Sequence, residues 1–206
     1  MKDRIDKLKI HADILLDAYL GLRENLEVLK PMIYEEAVAR KHAAGNRARG
    51  FMVIQRTLFF SCVLDIVGLA FYKKDRRVPS FINLIEALKD EQLRNTLRHG
   101  YSRGEAFDNI WKNILTKWAD FEGRKWVKPF KDIRDKRVAH LEVKKDGDEY
   151  KLLDINGFDL KWGDPEEAAL LLEPIILDLM SAICNTGLVI NRPLAGFEKD
   201  GKAFWT

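Results

Sequence analysis

Phe51-Met52-Val53-Ile54-Gln55-Arg56-Thr57-Leu58-Phe59-Phe60-Ser61-Cys62-Val63-Leu64-Asp65-Ile66-Val67-Gly68-Leu69-Ala70 is the stretch whose reading decides the fold. Phe51, Ile54, Leu58, Phe59, Cys62, Ile66, Leu69 and Ala70 recur at steps of three and four, so they share one wide apolar face of an α-helix. A face that wide predicts the central helix of a core. Asp65 interrupts it, as Glu173 and Asp178 interrupt the next most apolar stretch, so no uncharged run reaches the roughly eighteen residues of a membrane span. An aspartate in that position faces outward or partners a buried arginine.

Upstream, Ile5, Leu8, Ala12, Leu15, Leu16, Tyr19, Leu22, Leu26 and Leu29 predict a long amphipathic helix that ends at Pro31. A weaker helical pattern follows Tyr34, broken where Gly45 and Gly50 bracket Asn46-Arg47-Ala48-Arg49. Downstream, Ser80 is predicted to cap a short helix carrying Phe81, Leu84, Ile85 and Leu88, and Asp90 to restart a segment through Leu93 and Leu97. Phe107, Ile110, Trp111, Ile114, Leu115 and Trp118 give another helix, and 121–140 continues with breaks at Gly123 and Pro129. Lys145-Asp146-Gly147-Asp148 and Asn156-Gly157 are turn signals between partly alternating residues, which predicts a small β-hairpin insert over about 142–162. Asp164-Pro165-Glu166-Glu167 starts the last long helix, with Asp164 as its cap and a bend expected near Pro174. The class is therefore mainly α: one helical domain over 1–190 with a small hairpin before its last long helix. A C-terminal tail, 191–206, is expected to dock back or meet a partner through Ala203-Phe204-Trp205.

The chain has 206 residues, 47% hydrophobic and 33% charged, which suits one soluble domain with a full core and excludes extensive disorder. Charge alternates from the start, so no signal peptide is expected and the location predicted is the cytoplasm, with no membrane partner. Cys62 and Cys184 stand far apart in apolar segments, and are read as reduced core residues. No metal site or cofactor is expected. A Gly-rich phosphate loop, a Gly-x-Ser-x-Gly elbow and a His-Glu-x-x-His pair are all missing, which removes P-loop nucleotide hydrolysis, serine hydrolase chemistry and zinc proteolysis.

The net charge is only +3, yet 121–145 holds nine basic residues against four acidic ones, so the rest of the chain is slightly acidic. Arg124, Lys125, Lys128, Lys131, Lys144 and Lys145, with Trp126 and Phe130 interleaved, suit a phosphate backbone and point to RNA as a partner. The same count also describes a solvated lysine-rich helix face. Within it runs Arg134-Asp135-Lys136-Arg137-Val138-Ala139-His140. Arginine holds its charge and forks onto phosphate oxygens, while histidine exchanges a proton near neutral pH. Those two groups are the minimum for cutting RNA without a metal.

This segment resembles the signature of the HEPN superfamily, in which an arginine and a polar residue precede a histidine by four to six intervening positions. Arg134, Asp135 and His140 fill the three roles. Ile133 to Leu141, followed by a polar excursion and a last helix, is similar to the abortive-infection U-system branch, with a match of pattern over about 50–190. The resemblance implies a HEPN-like helical bundle, a homodimer with the motif at its interface, and endoribonuclease activity in phage defence or a toxin–antitoxin pair, where an antitoxin protein is a further partner. Arg134 and His140 are then the catalytic pair.

Two other pairs fit the bare spacing: Arg4 with His11, and Arg94 with His99, the latter in the family's commoner arginine–asparagine form. Six positions on an unbroken helix leave Arg134 and His140 about 120° apart, so the pair needs a distorted helix. Arg137 and Lys136, about one turn before His140, are reserve candidates.

Overall fold

The computed structural model describes the chain except residues 43–44, 73–76, 102–103, 136–142, 147–148, 153–158, 188–189 and 206. The quoted stretch lies in a helix, Ala48–Phe71, third in chain order and called α3 here. Its C-terminal half is the core: Phe59, Phe60, Cys62, Val63, Ile66, Val67, Leu69, Ala70 and Phe71 are buried, on more than one face. Its first turns are not. Phe51 is buried, but Ile54, expected on the inner face, is exposed together with Met52 and Val53. By length and composition alone α3 is apolar enough to cross a membrane, even with Asp65 in its apolar run. Its inner half packs instead against α1 (Lys2–Tyr34), α4 (Phe81–Leu88), α7 (Val127–Ile133) and α8 (Asp164–Cys184). Among the described residues Asp65 meets no arginine; Asn25 of α1 donates to it at 3.5 Å.

The α1 helix runs three residues beyond Pro31, where the sequence predicts its end. Proline has no N–H for the carbonyl four residues back, and the structure deals with that region from outside the helix. The carbonyl of Glu27 faces Gly201, so closely that a Cβ at Gly201 would sit 2.3 Å from its oxygen. The neighbouring carbonyl of Val28 accepts from Trp205 Nε1 at 2.8 Å, and near the helix end Gln55 donates to the Met32 carbonyl at 2.9 Å. Gly201 and Trp205 belong to α9, Asn191–Trp205, so the stretch predicted as a tail is a helix packed along α1. Trp205 is buried with Met32, Val38 and Phe51, Val38 lying on α2 (Glu36–His42).

Helix starts follow the capping rules where the cap is local. Ser80 Oγ accepts the N–H of Asn83 at the start of α4, and Asp90 Oδ1 accepts that of Leu93 at the start of α5 (Glu91–Arg98). Asp164 departs from the prediction. It lies inside α8, and its Oδ2 reaches backward to accept the N–H of Lys161 at 2.7 Å, leaving Gly163 as the cap residue. Pro174 lies inside the same continuous helix. α6 (Gly104–Glu122) packs on α8 through Phe107, Ile114, Trp118 and Phe121, and the Trp118 and Phe121 rings stack at 5.4 Å.

The fold is thus helical. In the stretch where the hairpin is predicted, β1 (Val143–Asp146) and β2 (Glu149–Leu152) run antiparallel with Val143 opposite Leu152. The Asn156-Gly157 turn lies outside the described residues. Trp162, expected in the alternating stretch, meets the Phe59 ring at 5.0 Å instead.

Candidate functional site

α7 brings the arginine of the motif to the surface. Val127, Phe130 and Ile133 are buried on its inner side, and Arg134 follows directly on Ile133. At Arg134 and Asp135 the backbone widens from α to π geometry. Such wide turns recur at functional sites, though a wider turn does not by itself close the angle of about 120° between positions 134 and 140. The Arg134 side chain is 34% exposed, and its Nε donates to Asp135 Oδ1 at 2.7 Å. Between adjacent residues such a contact orients the guanidinium and leaves its NH2 groups for another acceptor. Lys136, Arg137 and His140 lie outside the described residues.

The predicted RNA-binding cations divide. Lys125 and Lys128 are exposed on the loop and on α7. Arg124 is already engaged, with Nη2 on Asp120 at 2.8 Å and Nη1 3.4 Å from Glu167. Lys131 places its ammonium 3.7 Å from the centre of the Phe71 ring, a cation–π contact that turns it toward the core. Lys144 and Lys145 stand opposite Lys151 and Tyr150 in the strand register.

The arginines of the two competing pairs are held by structural contacts. Arg94 Nη1 donates to the carbonyls of Leu88 and Lys89 at 2.9 and 2.7 Å, closing the end of α4, and its guanidinium lies 5.6 Å from the Trp111 ring. His99 is the C-cap residue of α5. Arg4 is paired with Asp90 at 2.8 Å, while His11 is buried and its pKa is lowered by desolvation and by Lys7. Of the three arginines, Arg134 is bonded only to its neighbour among the described residues.

Beside Ile133, α3 presents a groove of about 440 Å³ lined by Val53, Arg56, Thr57, Phe60, Ser61 and Leu64. It continues the exposed turn Met52–Ile54, so an apolar surface with an arginine and two hydroxyls adjoins the residue before Arg134.

Sequence reasoning missed a buried polar network between α1 and α8. Arg23 and Glu27 are almost fully buried. Arg23 Nη1 donates to Tyr19 Oη at 3.1 Å and pairs with Glu173, and Tyr19 Oη donates to Glu173 at 2.9 Å. Burial drives the Tyr19 phenol well above its ordinary range. Lys30 continues the ladder, 2.7 Å from Glu27 and 3.1 Å from Glu166. Every member is paired, so the network serves helix register rather than chemistry. No group of three or more potential metal ligands occurs among the described residues. Cys62 and Cys184 are free thiols, and burial pushes that of Cys62 up to about 12, which makes it inert at neutral pH.

The HEPN family model for AbiU2 matches residues 5–204, a wider span than the 50–190 suggested by the sequence pattern. Neither a curated protein nor a solved structure matches the chain.

Proposed function

The chain belongs to the AbiU2 family of HEPN proteins, associated with abortive-infection defence, and from that premise we propose that it is a metal-independent endoribonuclease. The observation that carries the reading is the position of Arg134: half-exposed, bonded only to Asp135 among the described residues, and set where the helix leaves α geometry. In this reading His140 takes the proton of a ribose 2′-hydroxyl, whose oxygen attacks the adjacent phosphorus. The bond from phosphorus to the 5′-oxygen breaks, and a protonated histidine supplies the leaving oxygen with its proton. Products are a 2′,3′-cyclic phosphate and a 5′-hydroxyl, with no water consumed. Arg134 stabilises the charge that develops on the phosphoryl oxygens. One imidazole cannot be base and acid at once, so two protomers supply one histidine each. HEPN proteins typically dimerise and bind RNA. The α3 groove and the Met52–Ile54 turn beside Ile133 are the face we assign to self-association. Lys125 and Lys128, with Lys144 and Lys145 on the strand, hold the RNA backbone. An antitoxin protein and a cytoplasmic setting complete the proposal.

Incubating RNA with the protein in EDTA tests it. Wild type and Arg94→Ala are expected to cut; Arg134→Ala and His140→Ala are expected to lose about a hundredfold or more in rate. RNA left equally intact by wild type and by His140→Ala favours the second reading, a non-catalytic HEPN module that binds RNA or nucleotide, or a dimerising scaffold. Cleavage that persists in Arg134→Ala but fails in Arg94→Ala moves the site to Arg94 and His99.

A further inference from the structure

Two hollows flank the first turns of α3, and each is lined by an arginine and by no carboxylate among the described residues. One is the groove beside Ile133, with Arg56; the other, of about 290 Å³, has Arg47. The cavities between α1 and α4 and before α7, by contrast, carry both signs of charge. The imbalance starts in the sequence, where 37–64 holds five basic residues and no acidic one. Arg49, Val53, Arg56 and Phe60 follow at steps of four, three and four. Both guanidinium groups therefore stand on the face of α3 that forms the groove, about 10 Å apart along its axis. Both residues are exposed, and neither has a hydrogen bond or ion pair among the described residues. Asp65, the next carboxylate along α3, meets Asn25 of α1 and does not line the groove. Arg47 and Arg49 also stand at the positive end of the helix dipole, where α3 has neither an acidic residue nor a side-chain cap to offset them. An anion is what this face lacks.

The lining indicates which anion. The groove, of about 440 Å³, has apolar walls in Val53, Phe60, Leu64 and Ile133, and Thr57 and Ser61 add two hydroxyls. Apolar walls take the flat of a nucleobase, hydroxyls donate to or accept from its edge, and an arginine at the rim takes phosphate. In a duplex the bases are stacked and their edges paired, so only a single strand can turn a base into such a groove. We propose that the α3 groove selects single-stranded RNA by seating one unpaired base, with Arg56 and Arg49 on the phosphates that flank it. This rests on the cleavage reading above, because Ile133, in the groove wall, directly precedes Arg134. In the dimer proposed there the groove lies at the seam, so the strand passes between the two copies, where the two histidines act.

Fluorescence anisotropy on the full chain tests it, with one labelled 2′-O-methyl RNA used as a single strand and as a duplex. The methyl group blocks the hydroxyl on which cleavage depends, so binding is read alone. The single strand is expected to bind about tenfold or more tightly than the duplex. Arg56→Ala is expected to weaken single-strand binding about tenfold and to flatten its salt dependence by about 0.7 in log–log slope. Thr57→Val, which keeps the shape and removes the hydroxyl, is expected to weaken the single strand about threefold and leave the duplex unchanged. Sedimentation of Arg56→Ala is expected to match wild type. A monomeric Arg56→Ala that regains full RNA binding once concentration restores the dimer makes the groove a protein interface alone and overturns the proposal. Equal binding of single strand and duplex also overturns it, as does binding that Arg56→Ala and Thr57→Val both leave unchanged. The two readings fail separately. Selective single-strand binding in a protein that leaves RNA uncut keeps the groove and removes the nuclease; cleavage lost in Arg134→Ala, beside unchanged binding in Arg56→Ala and Thr57→Val, does the reverse.

Discussion

Asp65 shows how one residue on an apolar helix is decided by its neighbours rather than by its chain position. It sits on α3 beside Cys62, its contact with Asn25 is a long 3.5 Å, and burial pushes its carboxyl above the ordinary 3.8. A raised pKa means that the folded state binds the proton more tightly than the unfolded state. Ionised Asp65 therefore costs stability as pH rises above 3.8 and through the folded value, and costs nothing below 3.8, where both states are protonated. Asp65→Asn keeps an acceptor for Asn25 and removes the charge. Its melting temperature is expected to exceed that of wild type by a few degrees at neutral pH, with the gain gone at about pH 3. Equal melting temperatures at neutral pH would show that the carboxylate is fully solvated. Arg94 and Arg134 make the same point about position: both begin a matching motif, yet the Arg94 side chain bonds the carbonyls that end α4, while among the described residues that of Arg134 bonds only Asp135. Nothing in the spacing separates them, because the carbonyls of Leu88 and Lys89 that hold Arg94 are presented only once α4 and α5 have turned against each other.

At the scale of elements, what could be read was what is local. Ser80 and Asp90 cap the helices that immediately follow them, and the three- and four-residue steps of α1, α3 and α6 depend on a few turns of sequence. What escaped reading depends on distant chain. Arg23 and Glu27 look like ordinary surface charges until Glu173, 150 residues from Arg23, comes to meet them. Pro31 reads as a helix end, yet α9 covers the adjoining carbonyls and the helix continues. The packing of α9 on α1 depends on Gly201. Alanine in a helix is favoured over glycine by about 1 kcal/mol, so Gly201→Ala would stabilise α9 if the site were open. It is not: the new Cβ would fall 2.3 Å from a backbone oxygen, which a side-chain rotation cannot relieve. Overpacking costs about 1–3 kcal/mol and more where backbone must move, so the clash wins. Gly196, on the same helix, is exposed, and a Cβ added there would meet nothing within 4 Å. Thermal unfolding is expected to shift down by about 2–8 °C for Gly201→Ala and slightly up for Gly196→Ala. A rise for both would mean that α9 is not held against α1 as described.

For the whole molecule, the informative quantities are local surpluses. A net charge of +3 conceals a basic stretch over 121–145, and a chain with a full core still leaves Met52, Val53 and Ile54 in solvent at the start of its most apolar helix. In the dimer proposed above, burying that turn in a second copy would account for both its composition and its place beside Ile133. The composite site proposed above needs two copies for its acid and its base, so association and cleavage are linked by mass action. Val53→Asp places a charge on the exposed turn and in the α3 groove without touching the buried half of α3. An isolated charge in an apolar interface costs several kcal/mol, while at an exposed position in the monomer it costs little. Sedimentation and cleavage should therefore change together: Val53→Asp is expected to sediment as a monomer, to melt as wild-type monomer does, and to lose cleavage while retaining Arg134 and His140. Because the defect lies in association, raising protein concentration is expected to restore part of the activity. A Val53→Asp protein that remains dimeric moves the interface elsewhere on the surface, and one that is monomeric yet fully active removes the need for two histidines.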